Sequence, residues 1–196
     1  MIDWHALGIY TLVMSITPGP NNIMLLASGA RFGFRRTLPH LLGVSAGFTA
    51  QTVAVCAGLG AVMELLPGMQ LWLTWAGVGF MAWLAYKLLR SGPAAAAHAA
   101  RPLSTLEAAL FQLVNPKAWV IAVTTASVFM PKSGDLALAL VGVTMVLVGV
   151  NLPCITVWAV GGGALRTWLE DDRRRAVFNV TMAVLLAATA LSMLRG

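Results

Sequence analysis

Long uncharged apolar stretches separated by short clusters of charge run along the whole chain. Five stretches of about 20 residues or more contain no Asp, Glu, Lys or Arg, and a sixth reaches this length only if its helix begins near Leu113 and includes Lys117. A membrane-spanning helix needs about 20 apolar residues, and backbone polar groups in lipid must be paired within the segment. The pattern therefore predicts an all-α, polytopic membrane protein with six transmembrane helices. The predicted helices are residues 4–30, 37–64, 68–90, 112–131, 136–163 and 175–195.

The composition supports a surface that faces lipid. Hydrophobic residues make up 59% of the chain, charged residues only 10%, and the mean hydropathy is +0.81. Soluble domains have about 45–50% apolar and about 25% charged residues, so a soluble protein with this composition could not cover its exterior. These values exclude a soluble enzyme, a disordered chain and a disulfide scaffold. The apolar stretches are also too long and continuous for the alternating strands of a β-barrel.

Basic residues indicate an orientation rather than a nucleic-acid partner. The net charge is +6, but Lys and Arg lie in short clusters between apolar stretches and not on one soluble face. Clusters within 31–36, 87–117 and 166–175 fall on the same side of a six-helix layout. Because cytoplasmic loops carry the excess of Lys and Arg, both termini are predicted to be periplasmic. We expect a lipid bilayer and no nucleic acid as partner, and the oligomeric state stays open.

The chain divides into two halves of three spans each. Residues 1–90 form the first predicted repeat, residues 91–103 a cytoplasmic linker and residues 104–196 the second repeat. Because three is odd, the second half enters the membrane from the opposite side, which is the arrangement of an inverted repeat. A short amphipathic helix capped by Ser104 or Thr105 is expected at the start of the second half.

Two prolines interrupt the first predicted span. Neither Pro18 nor Pro20 has a backbone donor, so the helix is predicted to end near Ile16 and to restart with Pro20 in its first turn. Free carbonyls and N–H groups at such a break are costly in lipid unless they face protein or a wet cavity, and together they suit the two charges of a zwitterion. A packing kink without a ligand is the alternative. The candidate substrate-binding residues here are Thr17, Pro18, Gly19, Pro20, Asn21 and Asn22.

A second proline interruption lies at the corresponding place in the other half. Pro116 fixes a helix start, Asn115 caps it, and Lys117 offers a cation near the mouth of a pathway. These three residues complete the candidate binding set, although an ordinary helix boundary with a lysine that reaches towards water is the alternative. Gln51 and Asn151 occupy corresponding spans. They either line the cavity or form interhelical hydrogen bonds, and we favour the hydrogen bonds.

No motif indicates an enzyme. The chain contains no phosphate-binding loop, serine-hydrolase motif or zinc-protease motif, and it has no Cys/His cluster for a metal. We therefore predict no catalytic residue, cofactor or metal. Gly43 and Gly47 have the spacing that lets helices approach closely. Three isolated histidines are expected at the surface: His5, His40 and His98.

Several of these motifs together resemble a known family. Thr17–Asn22, Gly33-Phe34-Arg35, Trp75-Ala76-Gly77, Ala85-Tyr86-Lys87 and Asn115-Pro116-Lys117 look like the LysE/RhtB family of amino-acid exporters, over essentially the whole chain. The resemblance implies an inner-membrane secondary transporter that exports amino acids or small derivatives. It also implies an ion gradient as the driving force, with H⁺ as the expected coupling ion, and alternating access at the broken helices.

The resemblance leaves the substrate open. Residues 18–48 are similar to the subgroup that exports cysteine and O-acetylserine, whereas Asn115-Pro116-Lys117 follows the general family pattern. Two other functions are weighed against export. A membrane enzyme acting on lipid would need an acidic pair such as Asp171 and Asp172, which sits beside Arg173–Arg175 in a solvated turn. A passive channel would never move its substrate against a gradient.

Overall fold

The computed structural model describes residues 2–59, 67–90, 101–131 and 134–195. Regular structure in these ranges is helical throughout, which confirms the all-α prediction. The helices are α1 (Trp4–Ile16), α2 (Pro20–Phe32), α3 (Phe34–Ala54), α4 (Pro67–Leu89), α5 (Thr105–Phe111), α6 (Pro116–Thr124), α7 (Leu136–Ala164) and α8 (Asp172–Arg195). Wider π-helical turns extend α3 and α6 over Val55–Leu59 and Thr125–Phe129, and short 3₁₀ turns cover Gln112–Val114 and Trp168–Glu170.

Several of these helices are long and apolar enough to cross a membrane. Among the described residues, α7, most of α8 and the continuous helix Phe34–Gly58 each meet that requirement. Thr105–Val114 and Pro116–Phe129 meet it together as a pair bent by 70°. Large apolar side chains cover the outside, with Trp72 78% exposed. Such a surface belongs in lipid, so the chain is a multi-pass membrane protein.

Helix boundaries differ from the predicted ones where local chemistry favours another end. Gly33 has φ +79°, which lies in the left-handed region that glycine tolerates. It ends α2 and lets α3 begin immediately at Phe34 rather than at residue 37. The last helix begins at Asp172 rather than at residue 175, because the Asp171 carboxylate accepts a hydrogen bond from the Arg174 N–H at 2.9 Å. The predicted end of the second span and most of the linker lie outside the described residues.

The entry helix of the second half has the predicted cap. Ser104 Oγ accepts a hydrogen bond from the Glu107 N–H at 3.2 Å, and Glu107 Oε2 accepts one from the Ser104 N–H at 2.7 Å. This capping box satisfies two donors at the start of α5. Arg101 pairs with the same carboxylate at 2.7 Å, which fixes the chain just before the helix.

Helix α7 occupies the centre of the structure and packs against α1, α2 and α3, while α4 packs against α8. Small residues permit the closest approaches. The α-carbon of Gly162 faces the backbone carbonyl of Leu26 and leaves no room for a side chain. Gly43 and Gly47 lie directly against α5, so their predicted role in close packing is confirmed.

We expect Gly162→Ala to destabilise the protein by about 1–3 kcal/mol, the usual cost of overpacking. The added methyl group would collide with the α2 backbone, which cannot move without separating two helices. Gly149 in the same helix is a matched control, because a methyl group there meets no atom within 4 Å. Thermal unfolding of both variants in detergent would compare them. Equal Tm values would contradict the close contact between α2 and α7.

Candidate functional site

The first break lies where the prolines predict it. Helix α1 ends at Ile16 and α2 begins with Pro20 at its first position. Thr17 and Gly19 both have extended backbones, with ψ 146° and 175°, because a residue that precedes proline avoids the helical conformation. The break therefore follows from local chain chemistry, and its position is confirmed.

Side chains pair the carbonyls that this break releases. Asn22 Nδ2 donates to the carbonyl oxygens of Ser15 and Thr17, both at 2.8 Å. The indole Nε1 of Trp158 on α7 donates to the carbonyl of Ile16 at 3.2 Å. These bonds pair three carbonyls at the end of α1 with donors of the protein, which is the condition that a helix break within a membrane has to meet.

Lys117 from the second half completes this pairing. Its Nζ donates to the Thr17 carbonyl and to Thr17 Oγ1, each at 2.9 Å, and to the Pro18 carbonyl at 3.3 Å. The ammonium lies at the C-terminal, negative end of the α1 dipole. Its stem runs beside Gly19, where an added Cβ would lie 2.9 Å from Lys117 Cδ. The sequence suggested that the free carbonyls of the break would face the ammonium group of a zwitterionic ligand. In the structure they face the ammonium group of Lys117 instead.

The second break also has the predicted form. Pro116 is the first residue of α6, and Asn115 Oδ1 accepts a hydrogen bond from the Lys117 N–H at 3.1 Å. Asn115 is buried, and its Nδ2 donates to Gln112 Oε1 at 3.3 Å. The amide side chain therefore caps the helix and ties it to the preceding turn.

A pair of amides joins the two breaks. Asn21 Nδ2 donates to Gln112 Oε1 at 2.8 Å, and Gln112 Nε2 donates back to Asn21 Oδ1 at 3.2 Å. Gln112 is fully buried and also donates to the Ala108 carbonyl at 2.8 Å. Sequence reasoning did not single out Gln112. Its signal is a lone amide in the otherwise apolar run before Asn115.

Gln51 forms the interhelical contact favoured from the sequence. With its amide oriented by the surrounding donors and acceptors, it donates to the Gln112 carbonyl at 3.0 Å and accepts from Trp119 Nε1 at 3.1 Å. It belongs to the support of the second break and not to the lining of a cavity.

A cavity lies where the two breaks meet. Its empty space is about 340 Å³, including the part that opens to solvent. Because this figure includes open solvent, the enclosed part is much smaller than small-molecule pockets, which span roughly 300–1,000 Å³, so the occupant must be small. The lining residues are Met14, Ser15, Gly19, Pro20, Asn21, Asn22, Phe48, Asn115, Lys117, Ala118, Ile121, Asn151 and Ile155.

The one charged side chain in the described lining of this cavity is positive. Residues from the caps and first turns of α2 and α6 line it, and helix N-termini attract negative charge. Lys117 adds a full positive charge. None of the described residues that line the cavity is acidic. The cavity is therefore suited to a carboxylate group.

Asn151 contributes to the cavity as well as to helix packing. Its Nδ2 donates to Ser15 Oγ at 3.0 Å, which confirms the predicted interhelical hydrogen bond between α7 and α1. It also lines the cavity, the role that the sequence left as the less favoured alternative. Within the described part of the chain, its Oδ1 is buried without a hydrogen-bond partner.

The structure brings most of the predicted site residues together. Six of the nine line the cavity. Thr17 and Pro18 instead hold Lys117 through their oxygen atoms, and Pro116 sets the start of α6. The six lining residues are Gly19, Pro20, Asn21, Asn22, Asn115 and Lys117.

One expectation about isolated residues was wrong. His40 is only 2% exposed and lies inside α3, because it falls on the buried face with Thr37 and Val44. His5 is exposed as expected, and His98 lies outside the described residues. Among the described residues, no three His, Cys, Asp or Glu side chains lie close enough together to hold a metal ion.

Comparison with known proteins covers nearly the whole chain. A family model described as "LysE type translocator" matches residues 12–196. Similar curated proteins include the "Cysteine/O-acetylserine efflux protein" of Escherichia coli (strain K12) and that of Shigella sonnei (strain Ss046). Both are 31% identical over 183 residues, which covers 93% of this chain and 92% of each relative. No solved structure matches the chain.

Proposed function

The chain belongs to the LysE family of translocators, and from this premise we propose that it exports small neutral amino acids or their derivatives across the bacterial inner membrane. It is a membrane transporter of the amino-acid efflux type and not an enzyme. Cysteine and O-acetylserine, which the names of its relatives give as their substrates, are the first candidates.

The joining of two helix breaks at one polar cavity carries the proposal. Lys117 bonds to Thr17 and Asn21 bonds to Gln112 across about half the chain. Broken helices that meet at a polar cavity are a common way for secondary transporters to bind a substrate inside the bilayer. A packing kink alone would not require a cation and several amides around an open space.

The proposed binding mode places the substrate carboxylate in the positive part of the cavity. There it would face the first turns of α2 and α6 and the Lys117 ammonium. A carboxylate that approaches Lys117 competes with the carbonyls of Thr17 and Pro18 for the same N–H donors. Substrate binding would thus weaken a contact that holds the two breaks together.

The packing pattern supports the proposed inverted repeat of residues 1–90 and 104–196. Exchange of the two halves pairs α1–α2 with α5–α6, α3 with α7, and α4 with α8. Under this exchange the contacts of α1 and α2 with α7 correspond to those of α5 and α6 with α3. The α3–α7 contact and the α4–α8 contact each join a helix to its own counterpart in the other half, so the exchange leaves both contacts unchanged. The proposal counts α1–α2 and α5–α6 as one broken span each, which gives six spans.

This arrangement supports a proposal of alternating access. The bonds Lys117–Thr17 and Asn21–Gln112 link the two halves in the present state. We propose that they separate when the cavity opens to the other side, as one half rocks against the other.

We also propose that H⁺ is the coupling ion and that both termini lie in the periplasm. Alkaline phosphatase, which is active only in the periplasm, should then be active when it is fused to the C-terminus. If this fusion is inactive and a reporter that fluoresces only in the cytoplasm is fluorescent at the same position, the orientation is the opposite one.

Export itself is tested in cells that overproduce the protein. Cells challenged with single amino acids should accumulate cysteine, O-acetylserine or another small neutral amino acid outside, against its gradient, and a protonophore should stop this accumulation. Gly149→Ala is a control that should export like the wild type, because the new methyl group touches nothing. If no amino acid leaves the cells faster than from cells with an empty vector, the proposal fails. Flux that only follows the gradient would indicate a channel.

A further inference from the structure

An unpaired acceptor stands out in the cavity wall. Asn151 is 6% exposed, and among the described residues its Oδ1 is buried with no hydrogen-bond partner. Native proteins pair nearly all buried polar atoms, so such an exception requires an explanation. If the proposed function is right, we propose that Asn151 is the ammonium-binding residue of the substrate site, with its Oδ1 accepting a hydrogen bond from the α-ammonium group of the exported amino acid.

The structure places the amide nitrogen of Asn151 against the neighbouring helix. Asn151 Nδ2 donates to Ser15 Oγ at 3.0 Å, and Ser15 is itself 4% exposed and lines the cavity. With the nitrogen held by Ser15, the oxygen remains for a donor that enters the cavity. A charged donor in such a buried site makes a stronger hydrogen bond than a neutral one.

Several other acceptors near the cavity already have partners. Asn22 and Lys117 occupy the carbonyls at the end of α1. The amide oxygens of Asn21 and Asn115 accept from Gln112 Nε2 and from the Lys117 N–H. Asn151 Oδ1 is the one buried polar side-chain atom among the described lining residues that has none. Among the buried side-chain atoms of this lining, Asn151 Oδ1 is therefore the acceptor that remains for an incoming ammonium group.

The charge of the cavity defines the substrate class further. The neutral amide of Asn151 can accept a hydrogen bond from the α-ammonium group. A basic amino acid carries a second positive charge on its side chain, but no acidic residue of the described lining could pair with that charge, and Lys117 would repel it. The remaining walls are apolar at Met14, Phe48 and Ile121. The site thus selects zwitterions with short uncharged side chains over basic amino acids.

The decisive test compares two ligands that differ only in the α-amino group. Calorimetry on the purified protein in nanodiscs would measure binding of L-cysteine and of 3-mercaptopropionate under reducing conditions. We expect the wild type to prefer cysteine by at least about tenfold, since a hydrogen bond to a charged group contributes at this level. Asn151→Leu should weaken cysteine binding by about 10- to 100-fold and remove the preference.

Matched variants separate binding from folding. Asn151→Asp keeps an acceptor oxygen and should keep the preference for cysteine. Thr49→Val also removes a buried polar atom without a described partner, but Thr49 does not line the cavity, so binding should not change. If Asn151→Leu does not fold, Asn151→Ala also removes the amide without adding a new acceptor and should lose the preference in the same way.

Each outcome has a distinct meaning. A folded Asn151→Leu or Asn151→Ala protein that still prefers cysteine as the wild type does would overturn the role of Asn151 and leave the export proposal intact. A wild type that binds and exports no amino acid would remove the proposed function itself. Equal wild-type affinity for both ligands would show that the α-ammonium is not recognised, and would likewise overturn the inference.

Discussion

Replacing both Pro18 and Pro20 with alanine is expected to abolish amino-acid export while the protein still reaches the membrane. Proline in a helix interior costs about 3 kcal/mol relative to alanine, so the double variant removes the main barrier to one continuous helix from α1 through α2. In that helix Thr17 and Gly19 would leave their extended conformations. The carbonyls that now bind Asn22 and Lys117 would turn back into the helix, and the cavity would lose one wall.

Pro39 provides the control for this experiment. It also lies within a helix, α3, but it is exposed and does not line the cavity. Pro39→Ala should therefore export normally. Export rates, normalised to the amount of each protein in the membrane, give the comparison. Full export by the Pro18→Ala/Pro20→Ala protein would mean that the break is a packing kink and that transport takes another route.

The position of each break could be predicted because proline acts locally. Pro18, Pro20 and Pro116 determine backbone conformation without reference to the rest of the fold. Asn115 as a cap follows from the same kind of local rule. The α5 cap at Ser104 does so too, since the capping box is readable over four consecutive residues.

The partners across the break could not be predicted in this way. Gln112, Ser15 and Trp158 reach their partners only when α1, α2, α7 and the turn that follows α5 are packed together. Helix α7 is apolar all round its surface, so its sequence shows no polar face that would direct Asn151 towards or away from a cavity. The sequence could therefore suggest a hydrogen bond for Asn151 but not its place in the lining.

The burial of His40 could not be predicted from the sequence either. In a lipid-facing helix, the usual rule that polar residues lie outside has no force, because the outside is apolar. A histidine near the N-terminal end of α3 is therefore as compatible with the interior as with the surface. Packing against the neighbouring helices decides which of the two it occupies. The structure buries it at 2% exposure.

Lys117→Met is the second substitution with a large expected effect. Methionine keeps much of the volume of the stem but removes the charge and all three hydrogen bonds to Thr17 and Pro18. Loss of a charged partner costs about 1.5–3 kcal/mol, so kcat/KM for export should fall by about 10- to 100-fold. Arg35→Gln removes an exposed cation outside the cavity and should leave kcat/KM close to the wild-type value.

A decarboxylated ligand shows which task of Lys117 accounts for the loss. Cysteamine has the ammonium and thiol of cysteine but no carboxylate. If Lys117 binds the carboxylate, the wild type should prefer cysteine over cysteamine, and Lys117→Met should lose that preference. If Lys117 only fastens the two breaks together, the variant should keep the preference and change kcat alone. In that case the first turns of α2 and α6 would hold the carboxylate without the lysine. Unchanged kcat/KM in the variant would contradict both roles, because the lysine would then be a mere packing contact at the end of α1.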